Sequence, residues 1–326
     1  MVWTDLHAQI HRTIRSRNLF SKNQRLLVAV SGGQDSLCLI KLLLDLQAKW
    51  NWDLAIAHCE HGWRNDSLAN AEYVGKLAEN WGVPFYLESA NEVINSEAKA
   101  RDWRYQALTN IAEVNNFKYV VTGHTASDRA ETLLYNLIRG TGADGLQALT
   151  WQRPLTANIL LVRPLLEFTR PQTAKFCQDF NITIWEDSTN QDLKYARNRI
   201  RNELLPYLCE NFNPQVERNL AQTAELLQAE VEYLEQAAAF LRKEVMESGE
   251  NYSLPLRLNR KKLKIAPLAL QRRVMRQILQ AILRDAPSFE HIEKLVALIN
   301  APNRSQTDPF PGGAIAQVEG DWIKIE

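Results

Sequence analysis

Apolar and polar positions along the first two thirds of the chain fall into blocks that switch between two periods. Leu6 to Phe20 repeats its apolar residues at helical spacing, and Arg25 to Val30 is a short apolar run broken off by Ser31-Gly32-Gly33. Leu37 to Gln47 is Leu-rich and long enough for a helix. Asp53 to His58 predicts a second strand, Ser67 to Asn80 a helix closed by Gly82, Val83 to Glu88 a third strand and Ser96 to Asn115 the next helix. Lys118 to Thr122 and Ile182 to Trp185 complete the expected strands, with a helix from Ser127 to Arg139. Strands alternating with helices imply right-handed crossovers, hence an α/β fold with a doubly wound parallel sheet.

Two stretches depart from that rhythm. Thr141 to Pro171 has no clear period and is expected as a surface excursion carrying Arg153, Arg163 and Arg170. Past Pro214 the strand signal stops, and Val216 to Met246 keeps a helical period for about eight turns. The tail, Ala314 to Val318 and Trp322 to Ile325 around Gly320-Asp321, reads as a β-hairpin. The expected division is therefore a catalytic domain over 1–212 and, over 213–326, a helical linker with a smaller, mostly helical domain ending in the hairpin.

Composition narrows the classes. The 326 residues are 45% apolar, enough for a sizeable core, and 38 basic residues balance 38 acidic ones. Cys38, Cys59, Cys177 and Cys209 are scattered without a Cys-x-x-Cys pair, which argues against a structural zinc or iron–sulfur site. No membrane-length apolar run or signal-like segment is present, so a cytoplasmic protein with reduced thiols is expected. Charge is uneven all the same: Asn251 to Arg284 contains no acid but holds Arg257, Arg260, Lys261, Lys262, Lys264, Arg272, Arg273, Arg276 and Arg284. Such a run predicts a surface for nucleic-acid phosphates.

The turn after the first strand is the sharpest chemical signal. In Ser31-Gly32-Gly33-Gln34-Asp35-Ser36 the glycines bring backbone N–H groups close to an anion, and the following helix adds its positive end. Asp35 would repel phosphates unless Mg²⁺ bridges the two. There is no Gly-Lys-Ser/Thr, so the Walker arrangement is excluded. Three clusters follow later strands. His58-x-x-His61 can be a metal pair or part of a polar loop shaping a nucleotide pocket. Arg101 and Arg104 share a helical face and can meet a phosphate, or belong to a solvated face with Glu97. His124, Asp128 and Glu131 fall at i, i+4 and i+7, where the carboxylates can hold an ammonium or a metal.

These segments together resemble the tRNA(Ile)-lysidine synthetases, a branch of the PP-loop ATP pyrophosphatases. The matching runs are Leu26 to Ser36, His58-x-x-His61-Gly62-x-Arg64, Glu97-Ala98-x-Ala100-Arg101-x-x-Arg104-Tyr105, and Gly123-His124 through Glu131-Thr132. Then come Arg139-Gly140-Thr141-Gly142, Arg163-Pro164-Leu165-Leu166, Asp187-Ser188-x-Asn190 and Tyr195-x-Arg197-Asn198-x-Ile200-Arg201. The resemblance implies ATP and Mg²⁺ as cofactors, with free L-lysine and a tRNA(Ile) bearing a CAU anticodon as partners. The wobble cytidine is adenylated, then lysine displaces AMP. Ser31, Gly32, Gly33, Gln34, Asp35, Ser36, His58 and Arg101 would hold the nucleotide, with Asp35 also on the metal. Asp35, Arg104, His124, Asp128 and Glu131 would serve the chemistry. It further implies a short form without the extra C-terminal domain of longer members, and is compatible with a monomer or an oligomer. The chain departs from the family's usual His-His-x-Asp-Asp-Gln at the start of the fifth helix, with Ser127 for the first Asp and Arg129 for Gln. A related tRNA thiolase and a non-catalytic nucleotide or tRNA binder are the alternatives. Thiolation would favour cysteine pairs near the loop, and the sequence has none.

Overall fold

The computed structural model describes residues 3–60, 67–90, 96–185, 192–247, 252 and 254–326. Met1–Leu227 and Gln228–Glu326 form two compact units. The first opens with helix α1 (Asp5–Ser16), strand β1 (Arg25–Ala29), α2 (Gln34–Trp50), β2 (Asp53–Glu60) and α3 (Ser67–Asn80). It continues with β3 (Phe85–Ser89), α4 (Glu97–Val114), β4 (Tyr119–Thr122), α5 (Ala126–Ile138) and the short α6 (Ala143–Leu146). After β5 (Gln152–Pro154) and β6 (Leu160–Val162) come α7 (Arg170–Asp179), α8 (Ala196–Arg199), a π-helical turn at Ile200–Leu204 and α9 (Leu205–Asn211). Helix α10 (Val216–Val245) begins in this unit.

The sheet order is β3-β2-β1-β4-β6-β5, parallel except for β5. The first connections step outward from β1 to β3, and the chain then crosses back to β4, so strand order reverses between β1 and β4. That is where a doubly wound sheet opens a crevice at its C-terminal strand ends. Side-chain alternation assigns the two faces. Leu26, Val28, Ile56 and Val121 join the core with α1, α2 and α7, while Leu27, Ala55, Val120 and Leu161 face Leu108 and Ala112 of α4.

Two expectations are corrected. Ile182 to Trp185 forms no strand: Ile182 N–H caps α7 at Cys177 O (2.8 Å) and Trp185 N–H meets Gly32 O (3.0 Å), so no ladder is available to it. The place beside β4 goes instead to β6, from the stretch read as a surface excursion. Its hairpin strands are three residues each, too short to show a period, yet Leu161, Val162 and Arg163 are buried.

The second unit adds β7 (Leu256–Asn259), α11 (Arg260–Ile265), α12 (Leu268–Ile282), α13 (Phe289–Leu298), β8 (Ala316–Glu319) and β9 (Trp322–Ile325). The tail hairpin is extended by β7 into an antiparallel β7-β9-β8 sheet. Val274, Met275, Ile278 and Leu279 of α12 pack with Leu295, Ile323 and Ile325. The acid-free run does not leave its cations bare. Arg273 and Arg276 meet Glu235, Arg272 chelates Glu293 (2.7 and 3.0 Å), Lys261 meets Asp321 (2.7 Å), and Arg260 donates to the carbonyls of Ile299 and Ala301. Every one of those acids lies outside the run.

In the first unit a buried charge cluster braces α5. The Arg129 guanidinium, 2% exposed, meets Glu225 of α10 at 2.6 Å; Arg17 and the Trp151 indole N–H reach the same carboxylate at 2.6 and 2.7 Å. A cavity of about 560 Å³ opens against this cluster, lined by Arg17, Arg129, Trp151, Glu167 and Glu225. Removing one member of a fully buried ion pair costs roughly 3–5 kcal/mol. Glu225 keeps 31% of its side chain in solvent, so Glu225→Gln is expected to cost about 2 kcal/mol. Urea unfolding followed by tryptophan fluorescence measures it, and adding Arg129→Met should recover most of the loss; equal stability of Glu225→Gln and the native chain would contradict the assignment.

Candidate active site

The phosphate loop leaves β1 and turns into α2 within four residues. Gly33 is the N-cap of α2, and Gly32 has φ 87°, a left-handed conformation that favours glycine. A Cβ at Gly32 would also collide with Asn70 Oδ1, while the Asn70 amide donates to Ser31 O at 3.0 Å. Ser36 holds the turn closed: its hydroxyl accepts from Ser31 N–H (3.1 Å) and donates to Gly33 O (2.9 Å). The Gln34 side chain points away to α7, donating to Arg170 O (3.0 Å) and Thr173 Oγ1 (3.2 Å).

Asp35 is buried at the start of α2. Thr173 donates to its Oδ1, and Arg170 Nε reaches Oδ2 at 3.1 Å. Burial raises its carboxyl above the usual range despite Arg170, and Asp128 pushes the same way. The β4–α5 turn comes close from the other side of the crevice. A Cβ at Gly123 would stand 2.8 Å from Asp35 O and 3.0 Å from Ser36 N, so only glycine allows this approach.

Thr125 caps α5 and forms a reciprocal box with Asp128, whose Oδ2 accepts from the Thr125 amide at 2.8 Å. His124 lies before the helix rather than on its face, with Nδ1 2.9 Å from Thr122 Oγ1. Burial, then the Arg163 charge, lowers the His124 imidazole far below the usual histidine range, so it is neutral. Burial alone would raise Asp128, but the Arg170 charge, the Thr125 amide and Arg201 oppose it and hold the carboxyl low. Glu131, 3% exposed, receives Arg201 in a two-point clamp, Nε to Oε1 at 2.6 Å and Nη2 to Oε2 at 2.7 Å. Arg201 stands on the π-helical turn, whose extra residue re-aims side chains.

The remaining residues take varied places. The His58 ring donates Nδ1–H to Val30 O at 2.7 Å, which braces the end of β1. Arg101 and Arg104 lie in the first turns of α4, and both act on His124 electrostatically. His61, Gly62, Arg64, Asp187, Ser188 and Asn190 lie outside the described residues. Arg170 and Thr173, which hold Asp35, carried no signal beyond a Thr-x-Pro helix start. The fold also brings Cys38 and Cys177 near Asp35, a pair invisible to spacing. Burial pushes both thiols up, Cys177 to about 12, so neither is a reactive thiolate.

Residues 4–208 match the PP-loop domain and residues 258–319 the TilS substrate binding domain. A tRNA(Ile)-lysidine synthase from Nostoc sp. is 75% identical over 332 residues, 99% of this chain and 97% of that protein. One from Synechocystis sp. is 51% identical over 330 residues, 99% and 98% respectively. The chain belongs to the tRNA(Ile)-lysidine synthase family. The U34-tRNA thiolase NcsA from Methanococcus maripaludis shares the fold, with TM-score 0.58 and 15% identity over 68% of this chain and 78% of that one.

Within this lysidine synthase family member, both departures at α5 find carboxylate partners on α10. Ser127 donates to Glu217 and accepts the Arg170 backbone N–H at 3.0 Å, while Arg129 meets Glu225. A carboxylate thus reaches position 127 from another helix, and the added cation is neutralised.

The raised Asp35 carboxyl fixes the sign of a pH effect. The folded state holds this proton more tightly than the unfolded chain, so Asp35 lowers stability as pH climbs past its unfolded pKa through its folded one. Asp35→Asn should therefore gain stability over the native chain at about neutral pH, with the gain shrinking toward about pH 4. Urea titrations at both pH values measure it, and a gain that grows on acidification would contradict the assignment.

Proposed function

We propose that this protein ligates L-lysine to C2 of the wobble cytidine of tRNA(Ile) with a CAU anticodon, converting ATP to AMP and pyrophosphate. The observation that carries this reading is one crevice bounded by the phosphate loop after β1 and the Asp128–Glu131 helix after β4. It lies in a chain matched end to end by lysidine synthases. The C2 oxygen attacks the α-phosphate of ATP, and pyrophosphate leaves from the phosphate loop. The lysine ε-amine then attacks C2, and AMP departs with the former C2 oxygen.

Ser31, Gly32, Gly33 and Ser36 hold the pyrophosphate part, with the N-terminus of α2 supplying positive potential. Asp35 fits Mg²⁺. Its carboxyl and that of Asp128 repel one another, a divalent cation relieves this, and Mg²⁺ is commonly held by one or two carboxylates together with phosphates. Arg170 neutralises Asp35 without the metal. Neutral His124 donates to the developing phosphate charge, and Arg101 and Arg104 add cationic potential.

The incoming ammonium, with an ordinary pKa of about 10.4, has to be attracted and then deprotonated. Asp128 is ionised and offers the more open carboxylate. Glu131 acts through Arg201 as a positioning residue, since both its oxygens are clamped. The work takes place in the cytoplasm, where ATP and tRNA are found.

Mass analysis of tRNA(Ile) after incubation with ATP, Mg²⁺ and lysine tests the whole reading; absence of a lysine-sized mass increase would refute it. Asp35→Ala should lose pyrophosphate release entirely. Asp128→Asn should keep adenylation within a few-fold and raise the lysine KM by ten-fold or more, a loss of about 1.4 kcal/mol or more typical of a removed charged hydrogen bond.

The second unit binds tRNA mainly through phosphates. Arg260 is committed to backbone carbonyls, whereas Lys264 is exposed and Lys261 holds only a surface pair with Asp321. Lys261→Gln with Lys264→Gln should raise the tRNA Kd several-fold and flatten its salt dependence by roughly one to two in log–log slope, leaving ATP binding unchanged. An unaltered slope would move the contacts elsewhere.

A further inference from the structure

Arg101 on α4, Arg153 on β5 and Arg163 directly after β6 converge on one side chain, Tyr105. The Arg153 guanidinium carbon lies 4.5 Å from the Tyr105 ring centroid and that of Arg101 5.5 Å, while Arg163 interacts with the phenol itself. Among the described residues none of the three arginines has a carboxylate within ion-pair distance. Elsewhere in the unit, Arg17, Arg129, Arg170 and Arg201 each have one. Arg163 is the extreme case. It is 2% exposed, its Nη1 donates to Thr150 O at 2.6 Å, and its Nε has no hydrogen-bond partner among the described residues. Buried charges are normally paired, so a buried arginine beside two others, without an acid, is set up for an anion that arrives from outside.

We propose that Arg153 and Arg163, together with Arg101, form a second phosphate site on the flank of the crevice, occupied by a backbone phosphodiester of the tRNA beside the reacting cytidine. The inference rests on the function proposed above. The sheet order separates this site from the phosphate loop. The loop follows β1, whereas Arg163 follows the strand two places away and Arg153 lies on the strand three places away. At a strand spacing of about 4.8 Å these are lateral offsets of roughly 10 and 14 Å, beyond the phosphates gripped by the loop. Of the two remaining substrates, tRNA is the polyanion. Arginine suits a phosphodiester because its planar fork donates two parallel hydrogen bonds, and the Tyr105 ring pre-orients the fork by cation–π contact. Burial and the neighbouring arginines weaken the hold of Arg163 on its proton, and the same three arginines pull the Tyr105 phenol below its usual range against burial. A phosphate at this place relieves both. Phosphate contacts of this kind place a nucleic acid without reading its sequence.

The test uses the full chain carrying Arg153→Gln, with Arg153→Lys as the charge-keeping control and Arg163→Lys in place of a cavity-forming change. Binding of a tRNA(Ile) transcript is measured across a salt series without ATP or lysine, and ATP binding is measured separately as a check on the fold. The tRNA Kd should rise about ten-fold in Arg153→Gln and its log–log salt slope should fall by about 0.7–0.9, the share of one phosphate contact. Arg153→Lys should keep most of the slope, Arg163→Lys should also weaken tRNA binding, and ATP affinity should stay within two-fold in all three. Unchanged tRNA affinity and slope in Arg153→Gln would overturn the proposal. So would weaker ATP binding with tRNA binding intact, which would place a nucleotide phosphate here instead. Because binding is read without turnover, a chain that binds as expected but makes no lysidine would count against the proposed reaction and not against this site.

Discussion

Charge crowding where β1 and β4 part is the constraint on which the rest of the first unit depends. Asp35 and Asp128 face the same crevice, and their mutual repulsion together with burial raises the Asp35 carboxyl. Arg170 and Arg201 keep the arrangement folded, one from the start of α7 and the other from a π-helical turn. The crevice is narrow because Gly123 lets the β4–α5 turn touch the backbone of Asp35 and Ser36. The crowded carboxylates of the crevice are therefore held by the protein's own guanidinium groups. Such stored repulsion is a common cost of functional sites.

That crevice is supported from behind. Helix α5 carries Asp128 and Glu131 on one side, while Ser127 and Arg129 are tied to Glu217 and Glu225 of α10. The two departures that look disruptive when read along the chain are each matched to a carboxylate 90 or more residues away. Charge balance works similarly in the second unit, where the acids that neutralise the basic run come from helices and turns outside it. Net positive sequence composition is a poor measure of free positive surface once long side chains can reach neighbouring elements.

Much of the architecture follows from local sequence. Alternation along Leu26-Leu27-Val28 already assigns the two faces of the sheet, Ser96 and Thr125 start their helices by capping, and the full Ser31 to Ser36 motif after an apolar strand marks the tight turn into α2. The order of motifs also points to the family, because each chemical cluster follows a strand whose end must lie at the same sheet edge. The β5–β6 hairpin stayed hidden, since three-residue strands carry no period and the buried Arg163 disguises one of their ends.

What tertiary structure alone decided is which charges are paired. Asp35 with Arg170, Glu131 with Arg201, Arg129 with Glu225 and Arg273 with Glu235 are separated by 135, 70, 96 and 38 residues. No local pattern encodes such partners, because long flexible side chains select them only after the helices have packed. The sequence determined where carboxylates and arginines stand along each element. The packing of α7, the π-helical turn and α10 around the crevice decided which of them are locked in ion pairs, and which, like the arginines around Tyr105, have no carboxylate partner among the described residues.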